Sequence, residues 1–572
     1  MCELTEEKII IFGASDNGIA ACRFLSDNNE ILFVCDNNPK KWDTELGGYR
    51  VVPPKRIAEH REAIVVLALV KRYNEVLEQL REMQIYNVWQ YVEYCNLISQ
   101  SIESRLRRIP NENNIPLSLP YNKRIVCNQI ACRDDKNRVL IFSNYFPPIA
   151  GSGVQRPLKF AKYLKNFGYK PIVVTRGWCE KNLSMDYSFL EELQDVEIIR
   201  IEDSPIYPEE LISEDYEILY SLFTSLGMEG CWLQEYTRIL KKDWITIPDA
   251  DVVWVCSCIK EIVEKVDLNS ISLVYTTIGP YSSALFGAYF KLKYGMKWVL
   301  DYRDPWCLND YNMENFYQFR LGRREFEKKL EIGLLKTADH ITSSAEYFCD
   351  DFKRCYPNIK TTCITNGYDE EDFRNINVSA SLRDQFTLLF NGYIYDNYDI
   401  DFVLEVINEL ILEGHMDARK TRLEFNGSNP SNFSSFIEKD KYGIVRYNGY
   451  LSHQESLESL FGANILLLFG LFGEGAYAGY SGKLFEYLRT GLPILSISSP
   501  YGVQYELIEE HGHGITATPN NKQKMKDFIL TYYNEWECGT PLRVMQPDDY
   551  VKSFSREYLT ARLAQVFDDV FS

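Results

Sequence analysis

Apolar residues in this chain come in short unbroken runs, each closed by glycine, proline or an acid, with amphipathic stretches between them. Lys8–Phe12, Ile31–Asp36, Ala63–Leu69, Arg138–Ser143, Pro171–Thr175 and Leu388–Phe390 are such runs. Runs of this length without a polar alternation predict strands buried on both faces, the mark of parallel sheets covered by helices. Pro157–Phe167 is one of the intervening helices. The clearest single unit runs from Ser481 to Leu495. Ser481 is a good N-cap, Leu484, Phe485 and Leu488 share a face, Gly491 and Pro493 end the helix, and Ile494, Leu495 and Ile497 begin a strand.

These patterns divide the chain. Residues 1–100 read as a small Rossmann-like nucleotide-binding domain, and 101–137 as a polar linker containing Arg105, Arg107, Arg108 and Pro110. Residues 138–384 read as a second α/β domain, interrupted at about 180–270 by a segment that carries Trp232, Trp244 and Trp254. A third α/β domain follows over 385–545, and 546–572 is a tail with an amphipathic helix from Tyr550 to Phe571.

At 572 residues the length suits several domains, and 45% apolar with 25% charged residues is ordinary for a globular protein. The net charge of −19 argues against a nucleic-acid partner. There is no apolar run long enough to span a bilayer, and Met1–Thr5 does not begin a signal peptide, so a cytoplasmic protein is expected. The 15 cysteines, Cys35, Cys256 and Cys349 among them, form no CxxC pair and read as reduced buried thiols. With 6 histidines a His-rich metal site is not expected. Asp249-Ala250-Asp251 matches a metal-binding DxD pattern, but it falls inside the interrupting segment and no metal is assigned.

Candidate chemistry collects where strands or loops run into helices. The amides of Gly482 and Lys483, with the Lys483 charge, make a seat for phosphate. Glu486 lies four residues after Gly482 on the same helix face, about 6 Å along the axis, where a carboxylate can hold two ribose hydroxyls. Gly151, Ser152 and Gly153 open another helix and lead to Arg156. In the first domain Gly13, Ser15 and Gly18 followed by Asp36 approximate a dinucleotide fingerprint, with Ser15 where the second glycine usually stands. That site would take a nucleotide or NAD.

From Arg138 onward the order of motifs resembles the family 4 glycosyltransferases. A Pro147-Pro148 loop bears Gly151 and Gly153 and ends in Arg156. Strands follow that end in Gly279-Pro280 and in Asp301-Tyr302-Arg303-Asp304. Asn366-Gly367 is a crossover, and Asn391-Gly392 and Asn426-Gly427 end later strands. The resemblance implies a GT-B fold, two facing Rossmann-like domains, here preceded by a third. It implies sugar transfer from a nucleotide diphosphate sugar to a surface glycan or lipid-linked oligosaccharide, with retention and no required metal or cofactor. On this reading Asp301, Arg303 and Asp304 are catalytic, and Gly151, Ser152, Gly153, Arg156, Gly392, Gly427, Ser481, Gly482, Lys483 and Glu486 bind the donor.

The sequence departs from the family pattern twice. The partner glutamate, expected with seven residues between it and the helix glutamate, falls on Ala478, the nearest acid being Glu474. The loop Asn391–Asp396 carries no base, so Lys483 or Arg303 must serve the phosphates. Arg156, Lys159, Lys162 and Lys165 line one helix side, which suits either solvent or the inner face of an anionic membrane. Two other functions fit less of the chain: a nucleotide-sugar oxidoreductase or epimerase centred on Gly13–Asp36, and a sugar-nucleotide-binding scaffold without turnover. The first domain has no Tyr-x-x-x-Lys pair.

Overall fold

The computed structural model describes residues 7–26, 29–69, 73–91, 94, 137–177, 185–202, 213–228, 247–249, 251–304, 306, 323–374, 376, 384–394, 398–427, 433–470, 472, 475–542 and 544–572. The chain divides into two compact units. One comprises residues 1–127, 205–257 and 305–337, the other 128–204, 258–304 and 338–572.

The first unit holds a sheet of six strands: β1 (Glu7–Phe12), β2 (Asn29–Cys35), β3 (Glu45–Leu46), β4 (Tyr49–Val52), β5 (Ile64–Leu67) and β6 (Val88–Gln90). Their order is β3-β4-β2-β1-β5-β6, parallel except for the β3–β4 hairpin. Ile9 and Ile11 face one core and Ile10 and Phe12 the other, so both faces are covered, as the unbroken apolar run requires.

The second unit holds two sheets. In the first half β7 (Arg138–Phe142), β8 (Lys170–Gly177), β9 (Glu197–Glu202), β10 (Leu273–Thr277), β11 (Lys297–Tyr302), β12 (His340–Ser343) and β13 (Thr361–Cys363) form the order β13-β12-β11-β10-β7-β8-β9. In the second half β14 (Phe386–Asn391), β15 (Thr421–Asn426), β16 (Val445–Gly449), β17 (Ile465–Phe469), β18 (Ile494–Ile497) and β19 (Gly514–Ala517) form the order β16-β15-β14-β17-β18-β19. Every pairing in both sheets is parallel. The chain enters each sheet at a central strand, β7 or β14, and winds outward to both sides. The crevice at the carboxyl end of that switch point is where such sheets bind ligands.

The segment expected to interrupt the first half at 180–270 is smaller than the composition suggests. β9 lies within it and completes the sheet edge, while 205–257 and a further piece, 305–337, belong to the other unit. Trp254 is buried in the Val252–Lys265 helix. The linker up to residue 136, Trp232, Trp244, Asp396 and Glu474 lie outside the described residues. Asp249 accepts a hydrogen bond from the Asp251 amide at 3.1 Å, a turn that precedes that helix.

Two chain crossings join the halves of the second unit. The first passes through Gly367 and Tyr368, the second returns through Phe554–Arg556, and they pair side by side in a parallel bridge at Tyr368 and Ser555. The Tyr368 amide donates to Phe554 O at 3.2 Å and the Arg556 amide to Tyr368 O at 2.8 Å. A β-carbon on Gly367 would strike Phe554 O, so only glycine allows this approach. The tail is two helices rather than one, Asp549–Lys552 and Arg556–Phe571, split where Ser555 caps the second. Leu559, Leu563 and Phe567 then pack against Val139, Ile141 and Tyr275 of the first half. Each such side chain, fully buried, stabilises by roughly 1.5–3 kcal/mol. No helix among the described residues is long and apolar enough to cross a membrane.

Candidate functional site

The Gly482–Thr490 helix begins after Ser481, which is extended at φ −60 and ψ 131, and ends on Gly491 in the left-handed region at φ 69. The Ser481 hydroxyl caps nothing, and the first amides of a helix have no partner inside it. Space above Gly482 is open. Lys483 turns back across the end of β14: a β-carbon on Gly392 would fall on its Cε and Nζ, and its ammonium lies 5.4 Å from the centre of the Phe390 ring. A basic group therefore does lie beside the end of β14, brought there from another strand-to-helix turn. The glycine at 392, at φ 129, makes room for it. The Gly392 and Gly427 amides are spent on Asn426 O and Gly449 O at 2.8 and 2.6 Å, so these glycines give space and not donors.

Glu486 sits one turn further on. Neither Lys483 nor Glu486 has a hydrogen-bond or ion-pair partner among the described residues, although both are half-buried. Burial lowers the Lys483 pKa and raises that of Glu486, and their attraction for one another only partly offsets this. The His453, Lys483 and Arg556 charges each favour the Glu486 carboxylate, and Asp372 opposes it.

In the first half Arg303 follows β11 and lies between two glycines. A β-carbon on Gly153 would meet its Nη1, and one on Gly279 its Nη2. Its Nη1 donates to Gly153 O at 3.4 Å, its Nε to Asp304 Oδ2 at 2.8 Å, and its own carbonyl accepts from Ser344 Oγ at 2.8 Å. Arg303 and Asp304 retain 19% and 54% exposure, so this pair is reachable by a ligand. Gly151 is the N-cap of the Ser152–Tyr163 helix, at φ 132 with open space around it.

Asp301 and Arg156 have another role than the one expected. Both side chains are sealed from solvent, at 0% and 1% exposure, in a two-point ion pair of 2.7 and 2.9 Å. Asp301 also accepts from Thr277 and Thr342, at 3.0 and 2.7 Å, and Arg156 donates to Ile364 O and Thr365 O at 2.7 and 2.9 Å. All three guanidinium nitrogens and both carboxylate oxygens are engaged internally. Asp301 therefore orients no substrate and Arg156 grips no donor; together they tie the first crossing to the sheet. Burial disfavours both charges, but each outweighs it for the other, leaving Asp301 with a lowered and Arg156 with a raised pKa.

The basic face of the Ser152–Tyr163 helix also points inward, and neither solvent nor a membrane covers it. Lys159 is completely buried and binds Glu192, Asp369 and Asp372 at 2.7, 2.7 and 3.0 Å. Lys162 binds Glu192, Asp369 and Glu371 at 2.6, 2.9 and 2.9 Å, and Tyr163 OH donates to Asp369 at 2.6 Å. Only Lys165 reaches the surface, paired with Asp195. Glu192, Asp369 and Asp372 are close enough to hold a metal ion, but the two ammonium groups fill that place. His453, at the start of the His453–Leu460 helix, joins the network: its Nε2 is 3.1 Å from Asp372 and its amide donates to Asp186 at 3.2 Å.

Sequence reasoning missed His453 and Arg556, since neither belongs to a motif. Arg556 opens the tail helix at 4% exposure, with no hydrogen bond or ion pair for its guanidinium among the described residues and with Nη1 wholly enclosed. Burial, then Arg156, push its pKa down to about 10 against the pull of Glu486, Asp369 and Asp372. The two halves also touch through aromatic rings: Tyr347, just past β12, stacks on Tyr477 at 6.3 Å, and Tyr477 on Tyr501 at 5.6 Å. The segments that follow β12, β17 and β18 therefore meet. A separate hollow lined by Arg138, Lys165, Lys170, Asp195 and Glu197 lies at the amino ends of β7–β9, away from this chemistry, and its charges pair internally.

In the small domain Gly13, at φ 123, packs against Ala68 O, and Gly18 lets the helix Asp16–Leu25 approach Gly13 O. Ser15 caps that helix without a side-chain bond. Asp36 does not fit a ribose clamp. Its Oδ2 accepts from Ala14 N at 2.8 Å and from Lys41 at 3.2 Å, and its Oδ1 from Asn38 N at 2.8 Å. Lys41 donates as well to Ala14 O at 2.6 Å, closing the turn. The carboxylate holds the glycine loop shut where a dinucleotide would need it free.

Fold and site together define an α/β protein of GT-B architecture, two Rossmann-like halves linked by paired crossings, with an added N-terminal Rossmann-like domain. Residues 5–88 match the family described as C2185-like, N-terminal. No curated protein matches the chain. Among solved structures it is similar to a sucrose-phosphate synthase from Thermosynechococcus elongatus, at 14% identity and TM-score 0.49 over 76% of this chain and 99% of that one. It is similar to a glycosyltransferase from Rickettsia africae at 14% identity and TM-score 0.46, again over 76% and 99%. A UDP-N-acetylglucosamine 2-epimerase assignment from Listeria monocytogenes gives 11% and 0.42, over 76% and 97%.

Proposed function

We propose that the protein is a glycosyltransferase that moves a sugar from a nucleoside diphosphate sugar to a hydroxyl of a surface glycan or lipid-linked oligosaccharide. The observation that carries this reading is the Lys483–Glu486 turn, a cation laid across the glycine after β14 and a carboxylate one turn away, neither with a hydrogen-bond or ion-pair partner among the described residues. The cation and the free helix amides suit a diphosphate, and the carboxylate suits two ribose hydroxyls. Arg303 adds a second cation from the first half, where charge develops on the leaving diphosphate. Asp304, half-exposed, is left to orient the acceptor or the transferred sugar. Closure of two halves over the donor excludes water, which would otherwise compete with the acceptor hydroxyl. The motif order resembling family 4 adds retention at the anomeric carbon and action without a metal.

The test is a thermal-shift panel of UDP, GDP, ADP, CDP and TDP and their common sugars on the full chain, followed by calorimetry of Glu486→Ala. One base is expected to raise the melting temperature, and Glu486→Ala to lose at least tenfold in affinity while keeping its fold. A chain that no nucleotide stabilises, or an unchanged affinity in the variant, overturns the reading.

A further inference from the structure

Among the described residues at the paired crossings, Arg556 carries a buried guanidinium with no hydrogen-bond or ion-pair partner. Its neighbour Arg156 has Asp301 and two carbonyls; Lys159 and Lys162 have three acids each. Arg556 has none, though it is held in place by its own backbone bond to Tyr368 and by the packing of the tail helix behind it. A buried guanidinium without acceptors is costly, and in a native structure such a group calls for a partner, which a bound ligand, an ion or an ordered water supplies. Phe554, two residues before Arg556, packs on Phe485 with ring centres 5.1 Å apart, which brings this turn beside the helix that carries Glu486, and the Glu486 carboxylate attracts both Arg556 and Lys483.

We infer that Arg556 is a ligand-binding residue of the same cleft, donating its unused N–H groups to the anionic part of the bound nucleoside diphosphate sugar, so that the tail helix supplies part of the donor site. This rests on the function proposed above. It gives the return of the chain to the first half a chemical purpose: the donor is gripped by Lys483 from the second half and by an arginine fixed to the crossings, so binding reads whether the two halves are correctly assembled.

The experiment compares Arg556→Met and Arg556→Lys with the native chain, measuring melting temperature without ligand and affinity for the stabilising nucleoside diphosphate and for inorganic pyrophosphate. Arg556→Met is expected to melt at or above the native temperature, since an unsatisfied charge is gone, and to bind both probes at least tenfold more weakly. Arg556→Lys is expected to recover part of that affinity. If Arg556→Met fails to fold, the guanidinium is structural and the inference falls. If it binds within twofold of the native chain while Glu486→Ala does not, the inference falls and the donor site stands. If the native chain binds neither probe, both fall.

Discussion

Arg156 and Asp301 meet in a sealed two-point ion pair, and through Ile364 O and Thr365 O the same arginine fastens the first crossing to the sheet. Breaking one side of such a pair strands a buried charge, at about 3–5 kcal/mol. Arg156→Ala and Asp301→Asn should each lower unfolding stability by about that amount in urea titrations. An Arg156→Met change combined with Asp301→Leu should recover a large part of the loss, because no charge is then left alone. A mild effect of either single change on stability, with loss of activity only, would restore a direct catalytic role.

Gly392→Ala addresses the place of Lys483. The added methyl occupies the lysine's position, and the backbone at φ 129 resists any side chain. The expected outcome is at least a tenfold loss of nucleotide affinity by calorimetry, similar to Lys483→Met, with a stability loss of about 1–3 kcal/mol from the strain.

Gly153→Ala and Gly279→Ala should each act as Arg303 variants. Neither glycine needs to touch a ligand, yet a β-carbon at either displaces the guanidinium. Rates of sugar transfer or donor hydrolysis in both should fall about as far as in Arg303→Met, roughly 10²-fold if one charge on the leaving group is lost. Full rates in Gly153→Ala would place Arg303 outside the chemistry.

His453 gives a pH signature. Burial alone would lower its pKa, but the Asp372 and Glu486 carboxylates outweigh that and raise it above the usual 6.5. A raised folded value means that the stabilisation is complete below 6.5 and is lost as pH rises through the folded value. The native chain should therefore lose more urea resistance on going alkaline than His453→Gln does. Parallel curves for the two proteins would remove His453 from the junction's energetics.

Asp36→Ala should loosen the small domain by about 1–3 kcal/mol, since the Ala14 amide and Lys41 lose their acceptor. Hydrogen exchange at the Gly13–Gly18 turn reports this directly. Added NAD should leave that exchange unchanged in the native chain.

Runs such as Ile9–Phe12 and Leu388–Phe390 specify buried parallel strands on their own, because a strand covered on both faces admits no polar alternation. Ser481–Gly491 likewise carried its start, apolar face and stop within one short stretch, though the Ser481 hydroxyl makes no capping bond. Those local facts were enough for three Rossmann-like sheets and for placing Gly482, Lys483 and Glu486 at a helix start. Burial and pairing were decided only by tertiary structure. Arg156, Lys159 and Lys162 look in sequence like a solvated or membrane-facing stripe, and become interior once Asp301, Asp369 and Asp372 arrive from far along the chain. Asp36 looks free for a ribose until Lys41 and the Ala14 amide close on it. Whether a charge is available to a ligand depends on which opposite charges the fold brings near it, and that is a property of long-range contacts no local pattern contains.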